Sequence, residues 1–320
     1  MVESRTLDNI ILNKSGLTNL QVVSVDIVKF SLRRTRTESA ILQNFTSIIK
    51  RVLKTFSMQY NDFSLNNGIN LSTDLIKIPT GDGFILAMPL EGLPKAHLDF
   101  SIELLKQIHE YNKNNPCPIY DEKGWCNCKS HSKFDVRIGI DEGQALVFKD
   151  LNDNYNVIGN TINMTSRIMD LADGKTILLG ENAYKNIIDI ADLEDEECDF
   201  VDHGKIKVKN EVFIGVHQYC PKEKEYIISN KPNKIQEYQF EKEEKEKLLQ
   251  MDKIYTDAIT SAEVSKNTET SIQNSEVNQQ IVELKSPTLS NYPISPFFAM
   301  SPTLTACALL LNELKKKGIL

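Results

Sequence analysis

The sequence lacks any long apolar run. Its hydrophobic stretches fall far short of the roughly 20 residues that a membrane-spanning helix needs. Residues 1–19 mix polar and apolar side chains without a basic start followed by an apolar core, so we expect no export signal. Six cysteines in such a chain indicate reduced thiols and a cytoplasmic location rather than a disulfide framework.

A surplus of basic residues is also missing. The chain has 37 Lys and Arg against 44 Asp and Glu, a formal net charge of -7, and no dominant basic block. We therefore do not expect nucleic acid to be its main partner. A length of 320 residues allows one or two domains with a sizeable core, and no internal repeat is present.

The most informative stretch is a β-branched apolar run that ends at a carboxylate. Val22–Ser31 reads VVSVDIVKFS, which predicts a buried strand ending near Asp26. Apolar residues then recur at three- and four-residue steps between Ile41 and Phe56, which predicts an amphipathic helix. A lone aspartate between a strand and a helix is typical of a helix cap as well as of a metal ligand.

A second carboxylate, Asp82, favours a metal ligand over a helix cap as the role of Asp26. It lies in the sequence TGDG, where Gly81 and Gly83 bracket it and predict a tight hairpin turn. A strand, a long helix and a hairpin tip can bring Asp26 and Asp82 together. Two carboxylates on rigid elements suit Mg²⁺ or Mn²⁺, whose remaining ligands are water and substrate phosphate.

A polar loop further along is rich in soft ligand types. Cys117, Cys126, Cys128 and His131 fall within fifteen residues and are candidates for a structural Zn²⁺. Their spacing is not that of a standard zinc finger, and a flexible loop with free thiols is the alternative.

The next segments add three further candidate side chains. Phe134–Phe148 predicts two strands joined by a turn at Asp141–Gly143, with Arg137 on the face opposite its apolar neighbours. A helix opening after Gly159 carries Asn163 and Arg167 one turn apart on one face. Each of the three is also compatible with an ordinary solvated surface position.

Composition divides the chain into three parts. Residues 1–20 form a lead-in, residues 21–220 a globular domain ending in a hairpin that carries Lys209, and residues 221–320 a helical and low-complexity tail. Within the tail we predict a helix over Lys222–Lys253, a loose linker over Thr260–Gln280 and a last helix over Leu304–Lys317.

In order and local sequence, five segments together resemble the class III nucleotidyl cyclase catalytic domain. They are VDIVKFS, TGDGF, VRIGIDEG, GNTINMTSR and KVKN. The resemblance implies a ferredoxin-like α+β fold, followed here by the partly disordered and partly helical tail. It also implies a homodimer in which two catalytic domains pair head to tail and build two composite sites.

The resemblance also implies roles for individual residues. Asp26, the carbonyl of Ile27 and Asp82 match the ligands of two divalent cations, Mn²⁺ or Mg²⁺. Asn163 matches the residue that positions the ribose, and Arg167 the residue that stabilises the transition state. Lys209 and Arg137 match residues that contact the substrate phosphates.

Two positions depart from the purine-specific patterns of this family. Adenylate cyclases usually have lysine, and guanylate cyclases glutamate, four residues before the second metal aspartate, where this chain has Ile78. Lys77 is one residue away, which on a strand places it on the other face. Adenine-specific enzymes usually have Asp or Thr seven residues before the asparagine, where this chain has Asn156.

This combination resembles the bacterial pyrimidine cyclases of the Pycsar anti-phage systems. The resemblance implies synthesis of cyclic UMP or cyclic CMP from UTP or CTP, and a separate effector activated by the product. An adenylate cyclase with a divergent base pocket is the nearest alternative. A non-catalytic nucleotide sensor is a further one, although such a protein is expected to have lost at least one of Asp26, Asp82, Asn163 and Arg167.

Overall fold

The computed structural model describes Leu7 and residues 17–71, 73–90, 92–190 and 198–269. Eight strands form one sheet in the order β2-β3-β1-β4-β6-β8-β7, with β5 paired to β4. Only β4 and β6 pair in parallel among the described strands. The strands are β1 (Leu17–Ile27), β2 (Ile76–Pro79), β3 (Gly83–Met88), β4 (Val136–Lys149), β5 (Tyr155–Ile158), β6 (Ile177–Gly180), β7 (Cys198–Val208) and β8 (Val212–Pro221).

Helices connect these strands and cover the sheet. They are α1 (Thr35–Gln59), α2 (Asn61–Asn67), α3 (Ala96–Lys113), α4 (Pro118–Lys123), α5 (Asn160–Leu171), α6 (Glu181–Ile190) and α7 (Asn233–Glu269). The apolar stripe predicted for α1 is confirmed, since Ile41, Phe45, Ile48, Val52 and Phe56 are all buried. The predicted α+β fold class is therefore confirmed.

Apolar residues are buried on both faces of the sheet, because neighbouring strand residues point to opposite sides. On β1, Val23, Val25 and Ile27 join a core with residues of α1 and α3. Leu20 and Val22 join a second cluster on the other face. Asp26 alternates with the first set, so it lies on the face opposite α1 and α3.

The predicted hairpin at TGDG is confirmed. β2 and β3 are antiparallel neighbours, and the N–H of Thr80 donates to the carbonyl of Gly83 at 3.1 Å. The alternative in which Asp26 caps the following α-helix is not observed, since α1 begins eight residues after Ile27 and Arg34 occupies its N-cap.

The turn predicted at Asp141–Gly143 is wrong. β4 continues through these residues because it pairs with β1 without interruption from Ile27 opposite Val136 to Leu17 opposite Leu146. The Asp141 carboxylate is buried and accepts a hydrogen bond from the N–H of Ala183 at 3.3 Å. Long-range pairing and this buried contact outweigh the local turn preference.

The chain turns instead between β4 and β5, where the Asp150 carboxylate accepts hydrogen bonds from the backbone N–H groups of Asn152 and Asn154. This hairpin exposes a series of apolar side chains. They are Leu146, Phe148, Leu151 and Ile158.

The chain divides into two units, Met1–Ile254 and Tyr255–Leu320. In the first unit, Ile235 of α7 is buried with residues of α5, β6 and β8. In the second, α7 continues to Glu269, so the beginning of the predicted linker Thr260–Gln280 is helical. The remainder of that linker and the predicted helix Leu304–Lys317 lie outside the described residues.

Candidate active site

The two candidate metal carboxylates lie side by side at one end of β1. Asp26 is opposite Gly83 in the β1–β3 pairing, and the N–H of Ile27 donates to the carbonyl of Asp82 at 3.2 Å. Glycine is required at position 83, because an added Cβ would lie 1.9 Å from the carbonyl oxygen of Val25. The sequence TGDG therefore brings Asp82 close to Asp26 as well as forming a turn.

Electrostatics at this pair favour a cation. Burial raises the pKa of Asp26, Arg137 opposes that rise, and the neighbouring Asp82 carboxylate adds to it. A nearby positive charge lowers the cost of ionising the buried Asp26 carboxylate and reduces its repulsion from Asp82. The donor set of two carboxylates and a backbone carbonyl also suits a hard divalent cation.

Arg137 supplies positive charge within the chain itself. Its Nε lies 2.8 Å and its Nη2 2.7 Å from Oδ2 of Asp26. The same guanidinium contacts Asp170, with Nη2 3.3 Å from the carboxylate Oδ1 and Nη1 3.3 Å from the backbone carbonyl. Arg137 is thus largely enclosed between two carboxylates, unlike the solvated arginine that was the alternative.

Asp170 was not among the residues selected from the sequence. It lies on α5, three residues after Arg167, and its Oδ2 is 3.8 Å from Nζ of Lys209. Its position one turn beyond Arg167 was the available signal. Asp170 therefore connects Arg137 to Lys209. Lys209 lies in the turn between β7 and β8, and its side chain is 83% exposed.

Close packing fixes α5 above the sheet. An added Cβ on Gly139 of β4 would lie 2.4 Å from the backbone nitrogen of Met169 and 2.7 Å from the carbonyl of Thr165. Ser24 of β1 also contacts Ser166 through their hydroxyl groups at 3.5 Å. The helix backbone therefore rests directly on β4, with no room for a side chain between them.

Asn163 and Arg167 both lie on this helix, as predicted. Asn163 is exposed and Arg167 is partly buried, with its Nη1 3.9 Å from Sδ of Met164. Among the described residues, neither side chain bonds to Asp26 or Asp82. Within the described part of one chain, no hydrogen bond or ion pair therefore joins the Asn163–Arg167 pair to the carboxylate pair.

Comparison with known proteins agrees with this arrangement of elements. A family model described as the adenylate and guanylate cyclase catalytic domain matches residues 15–230. The chain belongs to this family. It therefore contains a class III nucleotidyl cyclase domain, and a search of curated proteins found no match.

Solved structures of cyclases are similar to this cyclase domain. The guanylate cyclase domain of RhGC from Catenaria anguillulae, in complex with GTP, is 16% identical, with 64% of this chain and 98% of that chain covered and a TM-score of 0.45. The adenylyl cyclase CyaB from P. aeruginosa is 17% identical, with 65% and 96% covered and a TM-score of 0.48. The adenylate/guanylate cyclase/hydrolase from Silicibacter pomeroyi is 17% identical, with 64% and 98% covered and a TM-score of 0.44.

The two candidate base-contact residues of the cyclase domain lie on the short strands β2 and β5. Ile78 pairs with Ile85 and packs, partly buried, against the cluster that contains Leu20 and Val22. Asn156 pairs with Phe148, and its side-chain oxygen accepts a hydrogen bond from the N–H of Val157 at 2.8 Å. The amide nitrogen of Asn156 remains the group suited to a ligand.

The candidate zinc loop lies between α3 and β4 of the cyclase domain. It brings Cys117, Cys126 and Cys128 together, with all three Sγ atoms within 4.8 Å of one another. His131 lies outside that group. In the described part of the chain, no helix is both long and apolar enough to span a membrane.

Proposed function

We propose that this protein converts UTP or CTP into the 3′,5′-cyclic monophosphate and pyrophosphate, as the second-messenger synthase of an anti-phage defence system. The preference for a pyrimidine substrate is inferred from the isoleucine at position 78. An isoleucine offers no hydrogen bond to a purine edge, whereas the lysine or glutamate of purine-specific relatives does. The side-chain amide nitrogen of Asn156 can donate to an acceptor on the edge of a pyrimidine base, since only its oxygen is engaged by the N–H of Val157.

The proposed chemistry is an intramolecular displacement. The ribose 3′-oxygen bonds to the α-phosphorus, the bond from that phosphorus to the β-phosphate oxygen breaks, and the hydroxyl proton leaves to solvent. Two divalent cations, Mg²⁺ or Mn²⁺, would lower the pKa of the hydroxyl and offset the charge of the triphosphate. Asp26, Asp82 and the carbonyl of Ile27 are the groups that would hold them.

The remaining residues act on substrate directly in this proposal. Asn163 orients the ribose, and Arg167 stabilises the charge that develops on the α-phosphate in the transition state. Lys209 is suited to the outgoing pyrophosphate because its side chain is exposed and, among the described residues, its ammonium makes a single ion-pair contact, at 3.8 Å with Asp170. Arg137 binds phosphate in competition with Asp26.

The active form in this proposal is a homodimer with two composite sites. The lack of any bond between the Asn163–Arg167 pair and the carboxylate pair among the described residues of one chain is compatible with it, since a second chain could supply one of the two pairs. The exposed apolar side chains of the β4–β5 hairpin are a further support, because such surfaces mark interaction sites. The product would then activate a separate effector protein.

Product analysis tests the proposal. The purified full chain is incubated with Mn²⁺ and ATP, GTP, CTP or UTP separately, and products are identified by mass spectrometry, with Asp82→Ala protein as the matched control. We expect cyclic UMP or cyclic CMP from the wild type and no product from the control. Cyclic AMP as the main product would identify an adenylate cyclase and refute the pyrimidine assignment. Binding of nucleotide without any product would support a sensor.

A further inference from the structure

Three thiols converge in the loop between α3 and β4, away from the carboxylate pair. Cys117 precedes α4, and Cys126 and Cys128 follow that helix within a few residues. Cys117 and Cys126 are each only 1% exposed, and neither they nor Cys128 form a disulfide. All three sulfur atoms lie within 4.8 Å of one another.

This spacing suits a tetrahedral metal. Thiolates bound to zinc at about 2.3 Å lie about 3.8 Å apart in tetrahedral geometry, which is within the observed limit. Neighbouring cysteines also pack as small apolar side chains in many proteins. Assigning a metal site to these cysteines therefore needs a second, independent observation.

The buried guanidinium of Arg33 provides that observation. The residue is 6% exposed, and its Nη1 donates to the carbonyl of Lys133 at 2.8 Å. Its Nε and Nη2 are buried without a hydrogen-bond partner in the described part of the chain. Burial lowers the pKa of Arg33, and Tyr120, Cys126 and the Asp135 carboxylate act in the opposite direction, so the guanidinium lies within electrostatic reach of the Cys126 thiol.

A buried cation with two unpartnered nitrogens is stabilised by nearby negative charge. The Asp135 carboxylate acts on Arg33, but it also accepts a hydrogen bond from the Tyr120 hydroxyl at 2.6 Å and lies 3.9 Å from Nζ of Lys175. Neutral thiols add no charge, whereas three thiolates around Zn²⁺ would carry a net charge of -1 and further offset the charge of Arg33.

A nitrogen ligand is available in the same loop. Nδ1 of His131 is buried and has no hydrogen-bond partner among the described residues. The backbone N–H of His131 donates to the carbonyl of Cys128 at 3.3 Å, so the two residues are already adjacent. Because the ring lies outside the group of three sulfurs, its side chain would have to rotate to become the fourth ligand.

We propose that Cys117, Cys126, Cys128 and His131 bind one structural Zn²⁺ that holds the α3–β4 loop against the segment leading from Asp26 into α1. Asn127 makes this connection, and it lies between two of the ligands. Its side-chain oxygen accepts from the N–H of Arg34 at 2.7 Å, and its carbonyl accepts from the hydroxyl of Thr37 at 3.0 Å. Fixing Cys126 and Cys128 therefore fixes the start of α1.

The metal content of the purified protein tests this proposal without reference to catalysis. We expect about one zinc per chain by native mass spectrometry and elemental analysis, and thiolate charge-transfer bands after exchange for Co²⁺. Cys126→Ser and Cys128→Ser should each lose most of the zinc. The matched control is Cys220→Ser, because Cys220 is also buried but contacts Ser229 outside the loop, and it should keep the metal.

Further measurements keep the test independent of folding in the cysteine variants. His131→Ala should bind zinc at least about tenfold more weakly, whereas His109→Ala should not change the affinity. Chelation of the wild-type protein should speed hydrogen exchange of the Arg34 amide. Wild-type protein that neither contains nor binds zinc would overturn the proposal, as would a native disulfide among the three cysteines.

Discussion

Arg137 contacts Asp26 through two nitrogens that share one oxygen, with Nε at 2.8 Å and Nη2 at 2.7 Å from Oδ2. The first candidate metal ligand is therefore already neutralised by its neighbour on β4. Asp170 contacts the same guanidinium from α5. A divalent cation at Asp26 consequently competes with Arg137, and Asp170 is positioned to hold Arg137 when it is displaced.

Removal of this guanidinium should tighten cation binding. We expect Arg137→Gln to lower the Mn²⁺ dissociation constant about 3- to 10-fold at pH 8, since a partly buried ion pair is worth about 1 kcal/mol. Because Arg137 opposes the raised pKa of Asp26, the gain should shrink as the pH falls and Asp26 takes up a proton. Titration calorimetry of the metal measures both effects. Arg51→Gln, on the exposed side of α1, is the control and should bind Mn²⁺ like wild type.

Arg167 should affect the chemical step more than substrate binding. We expect Arg167→Ala to lower kcat about 10²- to 10³-fold with a change in KM of less than about fivefold, because its charge is needed mainly in the transition state. Steady-state kinetics with the preferred nucleotide gives both constants. A large rise in KM at unchanged kcat would instead assign Arg167 to ground-state binding.

Mixed dimers test whether two chains share each site. Asp82→Ala and Arg167→Ala proteins should each be nearly inactive, but an equal mixture that has exchanged subunits should recover about a quarter of wild-type activity. About half of the dimers are then mixed, and each contains one intact site of two. Mass spectrometry verifies the mixed dimers, and their inactivity would contradict the shared-site proposal.

A methyl group added at Gly139, where α5 packs on β4, should destabilise the protein. In Gly139→Ala the new Cβ would lie 2.4 Å from backbone of α5, so we expect the free energy of unfolding to fall by about 3 kcal/mol. Gly174→Ala is the matched control, since its Cβ would meet Asp135 and Val28 at 3.3 and 3.4 Å, and a loss below about 1 kcal/mol is expected. Urea denaturation compares the two, and equal losses would show that α5 can move away from β4.

Asp141 should make stability depend on pH. Burial raises its pKa to about 6, whereas the unfolded value is near 3.8, so the folded chain retains a proton that the unfolded chain has lost between these values. The free energy of unfolding therefore falls as the pH rises through this window, by at most about 3 kcal/mol. Asp141→Asn should be more stable than wild type by about 1 to 2 kcal/mol at pH 8 and by little at pH 4.

Chemical denaturation at the two pH values checks this prediction. Asp189→Asn, which changes an exposed carboxylate on α6, is the control and should behave like wild type at both. A stabilisation by Asp141→Asn that is equal at pH 4 and pH 8 would rule out the ionised carboxylate as its cause.

Local sequence predicted much of the fold and the strands, helix and turns that carry the candidate site residues. The period-2 and period-3.6 patterns identified β1 and α1, and the glycines around Asp82 predicted its hairpin. The prediction failed at Asp141, because nothing local shows that β1 pairs across it or that Ala183 donates to its carboxylate. Asp170 was missed for a related reason, since its contacts with Arg137 and Lys209 join three distant parts of the chain.

The sheet order gives the two candidate metal carboxylates unequal mechanical support. Asp26 belongs to β1, which is hydrogen-bonded to β3 on one side and β4 on the other, whereas Asp82 lies in the turn that leads back to β2, at the end of the strand order. Edge strands open more readily than central ones. The hydrogen bond from the N–H of Ile27 to the carbonyl of Asp82 is therefore the contact that keeps Asp82 beside Asp26 when β2 frays.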